Sequence, residues 1–104
     1  MTIQINTDKT INGDVRLQEY FSSEIADALD RYESHITRIE VHIKDENGKK
    51  EGINDISCTL EARLEGRQPI AVTNNGNTIE EAVTGAIDKI KTSIETIIGR
   101  NQNR

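Results

Sequence analysis

The side chains of this chain that could perform covalent or metal chemistry are two histidines, one cysteine and scattered carboxylates. His35 falls between a predicted helix and a predicted strand, and His42 falls on the polar face of that strand, so the two do not form a ligand set. Cys58 is in register with Ile56 and Leu60, which is typical of a small core residue and not of a nucleophile. Catalysis needs convergent groups with perturbed acidity or a bound metal. The sequence therefore predicts a protein that is not an enzyme and uses no cofactor.

Nucleotide chemistry and base stacking on the sheet are also disfavoured. Gly76 and Gly85 belong to neither a Walker-type loop nor a strand-linked Gly-x-Gly-x-x-Gly pattern. The three aromatic residues, Tyr20, Phe21 and Tyr32, all fall on the first predicted helix, whereas an RRM-type sheet needs them on strands. The polar face of the sheet is therefore predicted to be solvated.

A basic and hydroxyl-rich flank of the second predicted helix is the remaining candidate site. Projected at about 100° per residue, this flank holds no acidic residue. Its members are Lys89, Thr92, Ser93, Thr96 and Arg100. Lys91 lies on the other side of the apolar stripe, and Arg31 is basic and late in the first helix. Such groups commonly contact phosphate and sugar, so this flank could form an RNA-binding ridge, although the residue pattern alone favours an ordinary solvated helix flank.

The overall charge opposes an RNA partner. The chain has 13 Lys and Arg against 18 Asp and Glu, a net charge of −5, so its field repels polyanions. The first predicted helix contains two arginines and five carboxylates, and the carboxylates are those of Glu19, Glu24, Asp27, Asp30 and Glu33. RNA binding would need a local basic patch. An acidic helical surface that binds a protein partner is the second interpretation.

Hydrophobic periodicity predicts the first elements that position these side chains. Residues 2–6 alternate as a strand, and Asp14 can cap a helix of about five turns. The apolar stripe of that helix comprises Leu17, Phe21, Ile25, Ala28, Leu29 and Tyr32. Alternation from Ile39 to Ile43, an Asn47–Gly48 turn signal and alternation from Ile56 to Leu64 then predict a hairpin.

The last two predicted elements are a fourth strand and a second helix. Residues 68–73 form the strand, in which Pro69 cannot donate a ladder hydrogen bond and so favours a strand start or an edge, and residues 74–77 form a turn. The Thr78-x-x-Glu81 pattern begins a helix that ends at Gly99, with residues 100–104 frayed. Its apolar stripe comprises Ile79, Val83, Ala86, Ile87, Ile90, Ile94, Ile97 and Ile98.

These elements assemble most economically as one α+β domain over residues 1–104. Its order is β-α-β-β-β-α, with a four-stranded mixed sheet and both helices packed on one face. No apolar run approaches the ~18 residues of a membrane span, so no membrane partner is expected. A lone cysteine and a start without a signal-peptide pattern favour the cytoplasm.

Several segments, taken with the element order, resemble a known family. They are residues 25–32 (Ile-Ala-Asp-Ala-Leu-Asp-Arg-Tyr), Ile39 to Ile43, and Thr78 to Val83 with Ala86 to Ile90. The chain resembles the ribosome hibernation-promoting factor and ribosome-associated inhibitor (protein Y) family, in its short form. That resemblance implies a fold similar to double-stranded-RNA-binding domains with an extra strand. It also implies a stress factor that binds the small ribosomal subunit and its RNA and modulates translation.

The resemblance also bears on individual residues. Lys89 and Arg31 match basic positions of the family, whereas Thr92 and Thr96 stand where basic residues are common. The candidate RNA-binding set is therefore Lys89, Lys91, Arg100 and Arg31. A family-like domain that has lost RNA binding and acts as a protein-interaction module is the alternative.

Overall fold

The computed structural model of the chain describes residues 1–8, 15–45 and 56–102, with side chains as far as residue 99. Four strands and two α-helices lie within these ranges. The strands are β1 (Thr2–Thr7), β2 (Ile36–Asp45), β3 (Ile56–Leu64) and β4 (Ile70–Gly76), and the helices are α1 (Val15–Ala28) and α2 (Ile79–Gln102). The predicted Asp14 cap and Asn47–Gly48 turn lie outside the described residues.

The strands form one mixed sheet in the order β1-β2-β3-β4. β1 runs parallel to β2, and the β2–β3 and β3–β4 pairs are antiparallel. Between β3 and β4 the chain turns at Gly66, whose φ of 72° suits a residue without a Cβ. The predicted element order and mixed four-stranded sheet are confirmed.

The core lies between one face of the sheet and both helices. Opposite each other on β2 and β3 are Ile39 and Ala62, Val41 and Leu60, and Ile43 and Cys58, none of them more than 2% exposed. The helices close this layer with buried residues that include Phe21, Ile25, Val83, Ile90 and Ile94. The alternation predicted for β3 is therefore confirmed, and Cys58 is part of the core as expected.

The first helix is shorter than its periodicity predicted. α1 ends at Ala28, and the chain continues as a 3₁₀ helix over Asp30–His35 that leads directly into β2. Tyr32, predicted on the α-helical stripe, lies in this tighter segment and is half-buried against the core. Such 3₁₀ turns are common at the ends of α-helices.

Two boundaries predicted from glycines are wrong. β4 continues through the predicted turn to Gly76, because Asn74 faces α2 and finds hydrogen-bond partners there. α2 continues past Gly99 to Gln102, since Gly99 does not adopt the positive φ that ends a helix.

The start of α2 is capped as predicted. The Thr78 hydroxyl accepts a hydrogen bond from the Glu81 backbone N–H at 3.1 Å. In return, the Glu81 carboxylate accepts one from the backbone N–H of Asn77 at 3.3 Å. Two amides without helical partners are thereby satisfied.

Asn74 fixes α2 to β4. Its side-chain Nδ2 donates to the carbonyl oxygens of Glu81 and Ala82, each at 3.2 Å. A Cβ on Gly85 would lie 2.0 Å from that nitrogen, so only glycine leaves room for the amide at this point of α2. This arrangement, called the Asn74–Gly85 lock below, sets how closely the helix approaches the edge of the sheet.

Replacing Gly85 with Ala should therefore destabilise the protein by roughly 1–3 kcal/mol, the usual range for overpacking a tight contact. The new methyl group would displace the Asn74 amide from its two carbonyl acceptors. Gly99 is a matched control on the same helix, because a Cβ there meets nothing within 4 Å. Gly99→Ala should instead stabilise by about 0.5–1 kcal/mol. Chemical denaturation measures both, and equal effects of the two substitutions would contradict the lock.

Candidate RNA-binding surface

Lys89, the central cation of the predicted ridge, is bound to the sheet. Its ammonium Nζ donates to the backbone carbonyl of Thr73 in β4 at 2.8 Å, although the side chain is exposed. Helix α2 passes over β4 here because the Asn74–Gly85 lock lies one helical turn earlier. The ammonium can still meet an anion, but one of its three donors is already used.

The structure brings Lys89 together with two of the predicted hydroxyl residues. Lys89, Thr92 and Ser93 line a shallow groove between α2 and β4, together with Val72 and Asp88. The helical projection had left this flank free of acidic residues, yet Asp88 borders the same groove. Its carboxylate offsets the charge of the neighbouring lysine.

The two hydroxyl residues farther along the ridge are joined to each other. Thr96 Oγ1 donates to the carbonyl oxygen of Thr92 at 2.9 Å, one turn back along α2. The Thr96 oxygen can therefore accept a hydrogen bond, but its proton is engaged within the helix. Contacts from this part of the ridge to phosphate would need the Thr92 hydroxyl.

The other predicted cations lie apart from this groove or beyond the described side chains. The Arg31 guanidinium carbon lies 5.9 Å from the ring centre of Tyr32, a cation–π contact. The Tyr32 hydroxyl donates to Glu95 of α2 at 3.2 Å, which places an acidic residue beside Arg31. Lys91 is half-buried, and Arg100 lies in α2 with its side chain outside the described set.

Carboxylates and aromatic rings mark the outer surface of the helices. Tyr20 is 48% exposed, and its ring meets Phe21 edge to face with centres 4.9 Å apart. The hydrogen bond with Glu24 is the main cause that raises the pKa of Tyr20, and the charge of Glu80 on α2 adds to it. Burial, followed by the bond to Glu95, likewise raises the pKa of Tyr32. Carboxylates of both α1 and α2 therefore lie near Tyr20, and a carboxylate of α2 is bonded to Tyr32.

Sequence reasoning missed an ion-pair network on the polar face of the sheet. Glu40 lies at its centre, 3.1 Å from Arg38, 3.7 Å from His42 and 3.9 Å from Arg63. Arg63 is also 3.5 Å from Glu61. Like charges stand directly opposite each other in the register, Arg38 across from Arg63 and Glu40 across from Glu61. Among the described ion pairs, those of Glu40 with Arg38 and His42 and that of Arg63 with Glu61 join residues two apart on one strand, and the pair of Arg63 with Glu40 crosses between β3 and β2.

The described residues show no metal or membrane feature. Across residues 1–8, 15–45 and 56–102, no three His, Cys, Asp or Glu side chains are arranged to hold a metal ion. Within the same ranges, no helix combines the length and apolar character needed to span a bilayer.

The structure and the comparisons agree on the class of protein. A mixed sheet covered on one face by two helices, in the order β-α-β-β-β-α, defines a two-layer α+β domain. The model of the Sigma 54 modulation protein / S30EA ribosomal protein family matches residues 3–102, and the chain belongs to this family. The resemblance to hibernation-promoting factors and protein Y is thereby confirmed. Membership supports a ribosome-associated role.

Solved structures share the fold at low sequence identity. The N-terminal domain of Thermus thermophilus Protein Y matches with a TM-score of 0.74 and 16% identity, covering 93% of this chain and 99% of that one. A ribosomal subunit interface protein from Coxiella burnetii matches with a TM-score of 0.70 and 17% identity, covering 95% and 99%. No curated protein sequence matches the chain significantly.

Cys58 provides a test of the core beneath this surface. Burial raises the pKa of its thiol to about 12, from an ordinary value of 9.0. Between these two values the unfolded chain releases the thiol proton and the folded chain keeps it, so the free energy of unfolding falls as pH rises. The loss approaches ~1.4 kcal/mol per pH unit.

A Cys58→Ala variant should therefore lose less stability than the wild type between pH 9 and pH 12 in denaturant titrations. The native wild type should also resist thiol reagents at neutral pH and react only after unfolding. Fast labelling of the folded protein, or parallel pH profiles for the two chains, would show that the thiol is not enclosed.

Proposed function

We propose that this chain is a non-catalytic, cytoplasmic stress factor that binds the small ribosomal subunit and modulates translation. The family match over residues 3–102 carries the proposal. It is supported by the fold shared with a protein Y domain and a ribosomal subunit interface protein. In this proposal the helical layer faces ribosomal RNA.

Arg31, Lys89, Lys91 and Arg100 contact the RNA backbone. Thr92 and Ser93 add neutral hydrogen bonds, which are common in contacts to phosphate and sugar. Because Lys89 is shared with Thr73 and Asp88 lies beside it, the number of neutralised phosphates is small. Binding therefore depends on salt, with a shallower slope than that of a strongly basic RNA-binding protein.

A second candidate function rests on the acidity of the helices. Carboxylates from α1 and α2 surround the exposed Tyr20, and the first helical segment has more acidic than basic residues. In this alternative, the domain has lost RNA binding and its acidic helical surface contacts a protein. The two functions require opposite charges on the partner, so charge substitutions separate them.

A triple variant with Arg31, Lys91 and Arg100 each changed to Gln should lose ribosome association, because it removes helix-borne cations and leaves the Lys89–Thr73 bond intact. Co-sedimentation with ribosomes from stationary-phase cells of the source organism, at two salt concentrations, is the measurement. The matched control changes Lys44, Arg63 and Arg67 to Gln, which gives the same net charge but alters β2, β3 and the turn between β3 and β4 instead of the helices. Equal losses in the two triple variants would argue against binding through the helices.

Changing Glu19 to Gln and Asp27 to Asn should leave ribosome binding unchanged or strengthen it, since these exposed carboxylates repel RNA. The same co-sedimentation assay measures it. A protein-interaction module would respond in the opposite way. Weaker binding of this double variant, together with unchanged binding of the helical triple variant, would favour the acidic-surface function.

A further inference from the structure

β4 is an edge strand, and one side of its backbone faces away from the sheet. In an antiparallel pair, backbone groups of alternate residues point toward and away from the neighbouring strand. The Thr73 carbonyl is accessible to Lys89 of α2, and the Thr73 hydroxyl lies 3.0 Å from that of Thr59, as expected for a non-hydrogen-bonded pair. Thr73, and by alternation Ala71 and Asn75, therefore present their backbone N–H and C=O groups outward.

This outward side is suited to pairing with an identical strand. A two-fold axis through Thr73 sets Thr73 against Thr73 of a second copy. In a symmetric contact of this kind, the same strand of both copies meets. A strand with a net charge would therefore repel its copy. No residue of Ile70–Gly76 is charged. On the core face, Val72 is only half-buried and would be covered further by the pairing.

Lys89 is the obstacle to this pairing. Its ammonium donates a hydrogen bond to the backbone carbonyl of Thr73, the residue at the centre of the pairing. Two copies joined at β4 would also bring their Lys89 ammonium groups toward each other across the axis. Lysines that guard an edge strand are a general means of preventing strand addition.

We propose that the outer edge of β4 is a self-pairing surface for a second copy of this chain, held closed by the bond from Lys89 to Thr73. Removal of the ammonium leaves the Thr73 carbonyl without its hydrogen bond from Lys89 and abolishes the repulsion between the two lysines. Two sheets then join through antiparallel β4 strands. The pairing does not depend on ribosome binding, because it requires only a second copy of the chain and the removal of the Lys89 ammonium.

The test is sedimentation velocity of purified Lys89→Met over a range of concentrations at moderate salt. Lys91→Met is the matched control, with the same change of residue two positions along α2. The wild type and Lys91→Met should remain monomeric over the concentrations tested. Lys89→Met should form a reversible dimer, with a dissociation constant at least tenfold below any dimerisation constant of the other two proteins. A Lys89→Met variant that is as monomeric as Lys91→Met overturns the proposal.

Two further substitutions test where the copies meet. Adding Thr73→Lys to Lys89→Met places like charges directly across the axis and should restore the monomer. Adding Thr73→Cys instead should give a disulfide-linked dimer on mild oxidation, and Cys58 does not compete because it is fully buried. Thermal unfolding checks that each variant is folded. Dimers that persist with Thr73→Lys, or that fail to cross-link with Thr73→Cys, assemble through another surface and overturn the proposal equally.

Discussion

The seating of α2 on β4 is the constraint on which the rest of the described surface depends. The side-chain amide of Asn74 donates hydrogen bonds to two successive backbone carbonyls of the helix. It fits there because Gly85 has no Cβ. Because Lys89 is four residues after Gly85, the same approach brings its ammonium to the edge of the sheet. The groove with Thr92 and Ser93 follows from that placement. A helix seated even slightly farther out would leave Lys89 in solvent and the edge of β4 open.

Charge is distributed unequally between the two layers. On the polar face of the sheet, arginine and glutamate side chains compensate one another around Glu40. On the helices, carboxylates outnumber cations, and two tyrosines carry raised pKa values beside them. A polyanion approaching the helices therefore meets isolated cations in a negative field, where neutral hydrogen-bond donors matter more than in a basic domain. The helical layer therefore carries both the cations that an RNA partner requires and the carboxylates that a basic protein partner requires.

Regular alternation made the sheet and most of the core predictable. The period-two pattern of β3 correctly placed Cys58 beside Leu60 inside the protein, because a shift of one residue would have exposed every apolar side chain. Local turn signals were less reliable. Asn74 to Gly76 matched a turn by composition, but contacts with α2 kept these residues in β4. The apolar alternation itself stops at Val72, because the next inward position is the polar Asn74, so no periodic signal extended the strand.

The candidate site was only partly predictable. Helical projection correctly grouped Lys89 with Thr92 and Ser93. It could not show that a strand carbonyl sixteen residues away would bind the lysine, since that contact depends on how the helix is seated. The sheet network around Glu40 was missed for a different reason. Among the described ion pairs, those of Glu40 with Arg38 and His42 join residues two apart on β2, so they follow from the alternation itself. Only the pair of Arg63 with Glu40 crosses between strands and depends on their register.

The topology of β1 has a consequence for how the molecule assembles. β2, β3 and β4 are antiparallel neighbours in chain order, and α2 returns directly over β4, so these contacts close short loops. β1 pairs in parallel with β2 alone, and Ile3 reaches Ile39 only after all of α1 has been traversed. Closing that longer loop costs more chain entropy before any contact compensates it. Chain entropy therefore favours formation of the meander and α2 before β1 docks on β2.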